Sequence, residues 1–409
     1  MKNVTIMNGS ILSRILILTM LIIAAIAQIY YIFDSNTEQP MKFSPEPLEE
    51  VDNEFPFDLY FPLINKTANE KDVIMAEKYL HLPTWSAGYV DCNSEDSEVS
   101  CYEIVRAHKA IQTYENTAKL RHVTGKIYIN AEPYSLADRM SMLYHAFLIS
   151  MVTNRLVYVK KSLYPFDLPD FIIDSGDDIQ GIELPSDYQF GCIDISNKYP
   201  DLLINNITWP QVLYTHYKVA PFLRNNFGFH AAYYVGNYLF GTSEAPKDEC
   251  KSLYDNVLEA HNFNDGYEFL PPQGISKNLL ERCDIKSEVS VVTNDPNAHF
   301  GEGLTDVSYV TDEDESFVCG LRKIISAQRV VHTFGSRYGW WAAAMQGRKC
   351  GYINTLDRIC VKVTNSQTAS LWHTYCPVEK SSIMRTNNRM FVCGPNANDA
   401  RLYVEYLLW

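Results

Sequence analysis

Apolar and polar residues follow two different spacings in the stretch that begins near residue 126. Lys126–Asn130 has the composition of a strand, and apolar residues then recur at helical intervals. These residues are Met140, Leu143, Tyr144, Phe147, Leu148 and Met151. Leu156–Val159 is apolar again and predicts a second strand. A strand, a helix and a strand within about 35 residues predict a βαβ unit with parallel strands.

A second region of the same kind begins at Val289. The predicted elements are a strand at Val289–Thr293, a helix starting at Thr311 or Asp312, a strand at Arg329–His332, a helix from Tyr338 to Met345 and a strand at Cys350–Ile353. The order is again β-α-β-α-β. The sequence therefore predicts an α/β protein with two Rossmann-like halves facing a cleft.

The N-terminal region contains an apolar run that is long enough to cross a bilayer as a helix, Ile15–Phe33. Lys2 and Arg14 precede this run, and Asp34 and Glu38 follow it. Because positive charge remains on the cytosolic side, the run predicts a signal anchor with the rest of the chain in the lumen.

A cleaved signal peptide is the alternative, since Ala25–Ala27 resembles a small-residue cleavage site. The protein would then be secreted. The prolines and acidic residues that follow are typical of a stem. The predicted segments are a cytosolic tail at 1–14, a transmembrane helix at 15–33, a stem at 34–60, a first domain at 61–240 and a second domain at 241–409.

Composition narrows the class of protein. The 409 residues are 46% hydrophobic and 13% aromatic, which excludes disorder for most of the chain. The net charge of -14 makes nucleic acid a poor partner.

All ten cysteines follow the apolar run, and Cys92 and Cys101 could close a short disulfide loop. Asn65 and Asn206 are glycosylation sequons, so together these features predict the secretory pathway.

The first candidate site is the strand-to-helix turn Tyr134–Arg139. Backbone N–H groups at a helix start attract anions, and Arg139 could add a bidentate fork for phosphate or carboxylate. The alternative is an ordinary helix start with Asp138 in the first turn and Arg139 in solvent.

The second candidate site is His332–Trp341, which follows a strand and opens a helix. Its hydroxyls could bind phosphate, its arginine could pair with phosphate, and its tyrosine could stack on a base. The candidate residues are Thr333, Ser336, Arg337, Tyr338 and Gly339. Trp340 and Trp341 are predicted to be core residues. The alternative is an apolar turn whose arginine forms a salt bridge.

Two further patterns imitate functional motifs. Asp312–Glu315 resembles the acidic metal motif of some sugar-nucleotide enzymes, but its place in the first turn of a helix favours a capping role. We therefore expect no metal ion. His299 follows a strand end and could be a general base, although a loop histidine without a role is the simpler interpretation.

At its two candidate sites the sequence resembles the α-1,2-fucosyltransferases, closest to the plant xyloglucan-type branch, as a divergent member. Ser135–Arg139 corresponds to the family's Gly-Leu-Gly-Asn-Arg turn, and Asn154–Arg155 to its Asp-Arg pair. Ser336–Gly347 matches the family's C-terminal Ser-Thr-Phe-Gly-Tyr segment without gaps. The resemblance covers about residues 125–380.

This resemblance implies a GT-B-like fold and inverting transfer of fucose from GDP-fucose to a glycan hydroxyl, with no metal or other cofactor. It also implies a single-pass type II Golgi membrane protein with a lumenal catalytic domain. The expected partners are a glycan or glycoprotein acceptor, a sugar nucleotide and the membrane. Arg139 would bind the donor, and Asp138 and His332 are candidates for contact with the acceptor hydroxyl.

Several positions depart from the family pattern. Ser135 and Ala137 replace glycines, Asp138 replaces asparagine, and Arg337 replaces threonine. The family also has a strand with a donor-binding arginine ahead of the strand that matches Val289. The corresponding stretch is near Gly266–Pro271 and has no arginine. The alternative function is therefore a catalytically inactive lumenal protein that keeps the fold and binds glycans or acts as a scaffold.

Overall fold

A computed structural model describes residues of one compact unit, Tyr60–Trp409. The described residues are 68–89, 91–93, 100–177, 179–184, 201–205, 219–228, 230–260, 287–296, 306–311, 314–333 and 336–347, with Ile195, Ile285, Phe300, Leu304 and the backbone of four short strands between 351 and 402.

The predicted cytosolic tail, transmembrane helix and stem lie outside the described residues, as do the sequons at Asn65 and Asn206. Within the described part of the chain, we find no helix with both the length and the apolar character that crossing a bilayer requires.

The first sheet has five parallel strands in the order β3-β2-β1-β5-β4. The strands are β1 Gly125–Ile129, β2 Arg155–Val159, β3 Ile173–Asp174, β4 Ile182–Leu184 and β5 Asp201–Ile204. The helices before and within this half are α1 Glu70–Tyr79, α2 Cys101–Lys119 and α3 Leu136–Thr153. The prediction of a parallel βαβ unit is confirmed, because α3 connects β1 to its parallel neighbour β2.

Local chemistry sets the limits of α3. The side chain of Ser135 caps its start by accepting a hydrogen bond from the backbone N–H of Asp138. Asn154 ends it in the left-handed conformation, with φ 53°, which asparagine tolerates better than most residues. A mostly buried helix of 18 residues lies between these two caps and forms the centre of this half.

The second sheet has six strands in the order β11-β10-β9-β6-β7-β8, all parallel except the pair β10 and β11. The strands are β6 Asn256–Ala260, β7 Val289–Thr293, β8 Asp306–Tyr309, β9 Arg329–Thr333, β10 Gly351–Asn354 and β11 Ile359–Lys362. The helices α6 Asp314–Ser326 and α7 Arg337–Gln346 belong to this half. A separate pair, β12 Phe391–Cys393 and β13 Ala400–Leu402, is antiparallel.

The stretch Gly266–Pro271, which corresponds to the family's strand ahead of β7, lies outside the described residues. Among the described strands, β6 Asn256–Ala260 pairs with β7 on one side and with β9 on the other. Every residue of β6 is buried, so the strand lacks the alternation that identifies half-buried strands. β6 contains no arginine, but it contains Glu259.

The two halves share a buried helical layer. Two further helices, α4 Val219–Phe227 and α5 Ala231–Phe240, precede the second sheet, and buried residues of both halves belong to one continuous hydrophobic cluster. The Nε1–H of Trp341 in α7 donates to Oγ of Ser141 in α3 at 3.0 Å. Both side chains are fully buried, so this bond fixes how α7 packs against α3.

Two disulfides join described cysteines. Cys92 bonds to Cys101, which confirms the predicted short loop. Cys250 bonds to Cys319 in α6, a pair that the sequence did not predict.

The two sheets confirm the parallel α/β class of the fold. The arrangement around a cleft and the boundary at residue 240 stay predictions.

Candidate functional site

The two strand-to-helix turns singled out in the sequence meet in the structure. Asp138 lies in the first turn of α3, and Arg337 is the first residue of α7. The Nη1–H of Arg337 donates to Oδ1 of Asp138 at 2.5 Å, across 199 residues of chain. Both helices start at the carboxyl ends of parallel strands, β1 and β9. The contact thus joins the carboxyl edges of the two sheets, where open α/β sheets bind their ligands.

Asp138 is held from a second side. Oγ–H of Ser135 donates to its Oδ2 at 2.8 Å. The side chains of Asp138 and Arg337 are 16% and 22% exposed, so the ion pair is largely shielded from water. The salt-bridged arginine of the alternative interpretation is therefore present in the structure.

Arg139 does not extend into solvent. Its Nε–H, Nη1–H and Nη2–H donate to the main-chain carbonyls of Ala131, Leu163 and Glu132 at 3.2, 3.2 and 3.3 Å. Three bonds to carbonyls fasten the loops after β1 and after β2 to the start of α3. Arg155, in the second matched motif, is also fully buried and donates to the carbonyl of Ile195. Binding of a donor by Arg139 stays a prediction.

Thr333 and Ser336 face a buried carboxylate of the protein itself. Glu259, at the carboxyl end of β6, is fully buried. Its Oε1 accepts from Oγ of Ser336 at 2.5 Å, and its Oε2 accepts from the backbone N–H of Thr333 at 3.0 Å. The hydroxyl of Thr333 donates to the main-chain carbonyl of Glu259 at 2.9 Å. The groups expected to hold phosphate are thus hydrogen-bonded to Glu259 in the structure.

Ser336 also begins α7. Its Oγ accepts from the backbone N–H of Gly339 at 3.0 Å and is the N-cap of the helix. A Cβ at Gly339 would overlap the carboxylate of Glu259 and lie 2.6 Å from Cβ of His332. The glycine is therefore required for close packing of α7 on the sheet rather than for approach of a ligand.

The two remaining candidates, Tyr338 and His332, point into the core. Tyr338 is 3% exposed, donates to the carbonyl of Phe317 at 3.0 Å and contacts the Phe317 ring edge-on. Burial, and after it the charge of Glu259, raises the pKa of Tyr338 well above its ordinary value. Burial lowers the pKa of His332, so its imidazole is neutral at pH 7, and Nδ1–H donates to the carbonyl of Thr333 at 3.0 Å.

Other sequence-based expectations concern the core and metals. Trp340 and Trp341 are 3% and 0% exposed, which confirms them as core residues. The helix of the acidic motif begins at Asp314, and both Asp312 and His299 lie outside the described residues. The described parts of the chain contain no group of three His, Cys, Asp or Glu side chains that could hold a metal ion.

Glu259 is the residue that sequence reasoning missed. It stands in Asn256–Ala260, where a single acidic residue among apolar ones was the available signal. A carboxylate is almost never fully buried unless it is paired or hydrogen-bonded, so an acid inside an apolar strand indicates a specific partner. Its partners lie on a different strand and a different helix, which the sequence does not reveal.

The chain has a distant likeness to solved structures. No protein-family model and no curated protein sequence matches the chain. Among solved structures, that of an arginine-to-lysine variant of Arabidopsis thaliana FUT1 in complex with GDP is similar, with a TM-score of 0.44 and 13% identity. The match covers 64% of this chain and 83% of that chain. The sequence motifs and the geometry of the two turns therefore carry the functional argument.

Proposed function

We propose that the protein is a glycosyltransferase that transfers fucose from GDP-fucose to a glycan hydroxyl with inversion and without a metal ion. We further propose that it is a type II protein of the Golgi membrane, or a secreted protein if Ala25–Ala27 is a cleavage site. The apolar run Ile15–Phe33, the disulfides and the sequons support this location.

The meeting of Asp138 with Arg337 is the observation that carries the proposal. The two turns that resemble the α-1,2-fucosyltransferases lie 199 residues apart and belong to different sheets, yet their side chains touch. Packing alone does not require charged residues at that junction. A shared site for donor and acceptor does, because the leaving diphosphate and the attacking hydroxyl must be brought together.

Arg337 is the residue that would neutralise the leaving diphosphate. It stands at the N-terminus of α7, where the helix dipole also favours negative charge. A diphosphate carries more charge than a carboxylate and offers more acceptor oxygens, so it would displace Asp138 from the guanidinium. Charge stabilisation of this kind is a large contribution to transfer reactions.

Asp138 would then be free to accept the proton of the acceptor hydroxyl. Ser135 keeps the carboxylate oriented by its hydrogen bond to Oδ2 after Arg337 has moved to the diphosphate. His332 fits this role less well, since it is 4% exposed and lies behind the start of α7. Donor binding would thus prepare the base in the same step.

Nucleotide binding tests the proposal. The full chain is titrated with GDP, UDP and CMP by calorimetry, as wild type and as Arg337→Ala. Arg329→Ala is the matched control. Arg329 is an exposed arginine at the start of β9, the strand whose other end leads into the turn that holds Arg337. We expect GDP to bind the wild type and the control, and to bind Arg337→Ala at least about tenfold more weakly.

The other outcomes are equally informative. Binding of UDP in place of GDP would be consistent with a glycosyltransferase but would contradict GDP-fucose as its donor. Binding of GDP without transfer from GDP-fucose to any glycan would contradict the proposed fucosyl transfer. Absence of nucleotide binding by a folded protein would contradict the enzyme proposal altogether.

A second candidate function rests on Glu259. Its carboxylate takes the hydrogen bonds of Thr333 and Ser336 that a diphosphate would otherwise use. Because Glu259 already takes these hydrogen bonds, the second candidate is a lumenal protein that keeps the fold and binds glycans without transferring a sugar. Nucleotide titration separates the two candidates, because the second predicts glycan binding without GDP binding.

A further inference from the structure

A pocket of about 550 Å³ lies away from the two turns, on the helices of the first half. The end of α1, the end of α2, the loop 167–170 and Tyr238 of α5 surround it. None of its lining residues belongs to Tyr134–Arg139 or His332–Trp341. The volume is in the range of small-molecule sites.

One wall of the pocket is aromatic. The rings of Tyr79 and Tyr238 are stacked with centroids 5.4 Å apart. Leu168 and Pro169 add apolar surface from the loop. Together these lining residues give the pocket one apolar side, which suits a ligand that presents C–H groups on one face.

A fixed carboxylate stands beside this wall. Glu115 accepts from the hydroxyl of Tyr79 and from Nζ of Lys119, the latter at 2.5 Å. Burial acts to raise the pKa of Glu115, but the hydrogen bonds from Lys119 and Tyr79 outweigh it and lower the pKa. Glu115 is thus ionised at neutral pH, and a carboxylate with two oxygens still has acceptor capacity for a ligand.

His81 brings a buried ring nitrogen to the pocket lining. It follows α1 in the left-handed conformation, with φ 53°, at a helix-end position where glycine would be less strained. Its Nδ1 is buried and has no hydrogen-bond partner. Burial lowers the pKa of His81, so the ring is neutral at pH 7 and offers hydrogen bonding without charge.

The charges around the pocket nearly balance. Lys78 and Lys119 face Glu115, Asp167 and Asp170. Such a lining supplies donors and acceptors in similar numbers and gives an anion no net attraction.

A second pocket of about 460 Å³ has a positively charged lining, since Arg106 and Lys109 line it and no acidic residue does.

We propose that the pocket between α1, α2 and loop 167–170 binds a neutral saccharide. Among common ligands, a pyranose combines an apolar C–H face with several hydroxyls that both donate and accept, which matches the tyrosine wall and the mixed polar rim. The proposal does not depend on the transfer reaction, because the pocket shares no residue with the proposed donor site.

The test uses the full chain on an array of neutral, sialylated and sulfated oligosaccharides, followed by calorimetric titration of the strongest neutral binder. The double variant Asp167→Ala/Asp170→Ala removes both carboxylates at exposed positions, where the fold does not depend on them. Lys109→Ala in the second pocket is the control. We expect the double variant to weaken binding about tenfold or more and the control to leave it unchanged.

Two results would overturn the proposal. One is binding restricted to sialylated or sulfated glycans and abolished by Lys109→Ala, which would move the site to the cationic pocket. The other is the absence of binding to any neutral glycan by a chain that circular dichroism shows to be folded. Titration of the same preparation with GDP tests the donor site separately, so the two proposals can fail independently.

Discussion

The replacement Asp138→Asn should strengthen nucleotide binding. Arg337 donates to Asp138, and a diphosphate must take Arg337 away from this carboxylate before it can bind. Asparagine has nearly the same shape: its one acceptor oxygen can still face Arg337, and its NH2 group can donate to Oγ of Ser135. The variant therefore weakens the competing partner without removing the arginine.

The magnitude follows from the pair itself. Both side chains are less than a quarter exposed, so screening by water is incomplete. A hydrogen bond between charged groups contributes about 1.5–3 kcal/mol. A neutral acceptor retains roughly half of that, so binding of GDP should gain about 0.7–1.5 kcal/mol, or about 3- to 12-fold in Kd.

Calorimetric titration of both proteins with GDP measures the difference. Asp248→Asn is the matched control for loss of one negative charge, because Asp248 is 97% exposed and pairs with Lys251 at the surface. We expect the control to change Kd less than about twofold. A weaker or unchanged Kd for Asp138→Asn would refute the competition between carboxylate and diphosphate. If Asp138 is also the base, the same variant loses transfer activity while its GDP affinity rises.

Three further predictions concern how the site is supported. Gly339→Ala should lower the free energy of unfolding in urea by about 1–3 kcal/mol or more, because the new Cβ would overlap Glu259. A stability equal to wild type would contradict the close packing. Ser141→Ala should lower the free energy of unfolding by about 1–3 kcal/mol, because it leaves the buried Nε1–H of Trp341 unpaired. A loss under about 0.5 kcal/mol would contradict this hydrogen bond. Urea stability should fall as the pH drops below about 6.5, because burial lowers the pKa of His332 and the unfolded chain binds the proton first. His332→Gln should show a smaller fall between pH 7 and 5.5, and an equal fall would exclude His332 as its source.

Periodic segments of the fold were predictable. The strand predicted at Lys126–Asn130 is β1 at Gly125–Ile129, and the helix predicted through Met151 is α3 at Leu136–Thr153. These elements show regular spacing together with a capping residue at the helix start. The fully buried β6 has neither, and Glu259 interrupts its apolar run, so the sequence does not predict this strand.

The candidate site was predictable in position but not in orientation. Sequence motifs indicated both turns, yet nothing in them revealed that Asp138 and Arg337 touch, since this contact depends on how the two halves pack. The side chain of Tyr338 was expected to face a base and instead packs against Phe317. Which face of a helix start is buried depends on its neighbours, here α6, and these come from elsewhere in the chain.

A crystal structure of the full chain with GDP tests the central claim most directly. We predict a diphosphate oxygen within hydrogen-bonding distance of the Arg337 guanidinium, with Asp138 released and still bonded to Ser135. GDP bound elsewhere, with the pair between Arg337 and Asp138 intact, would contradict the claim that the two turns form a single nucleotide site.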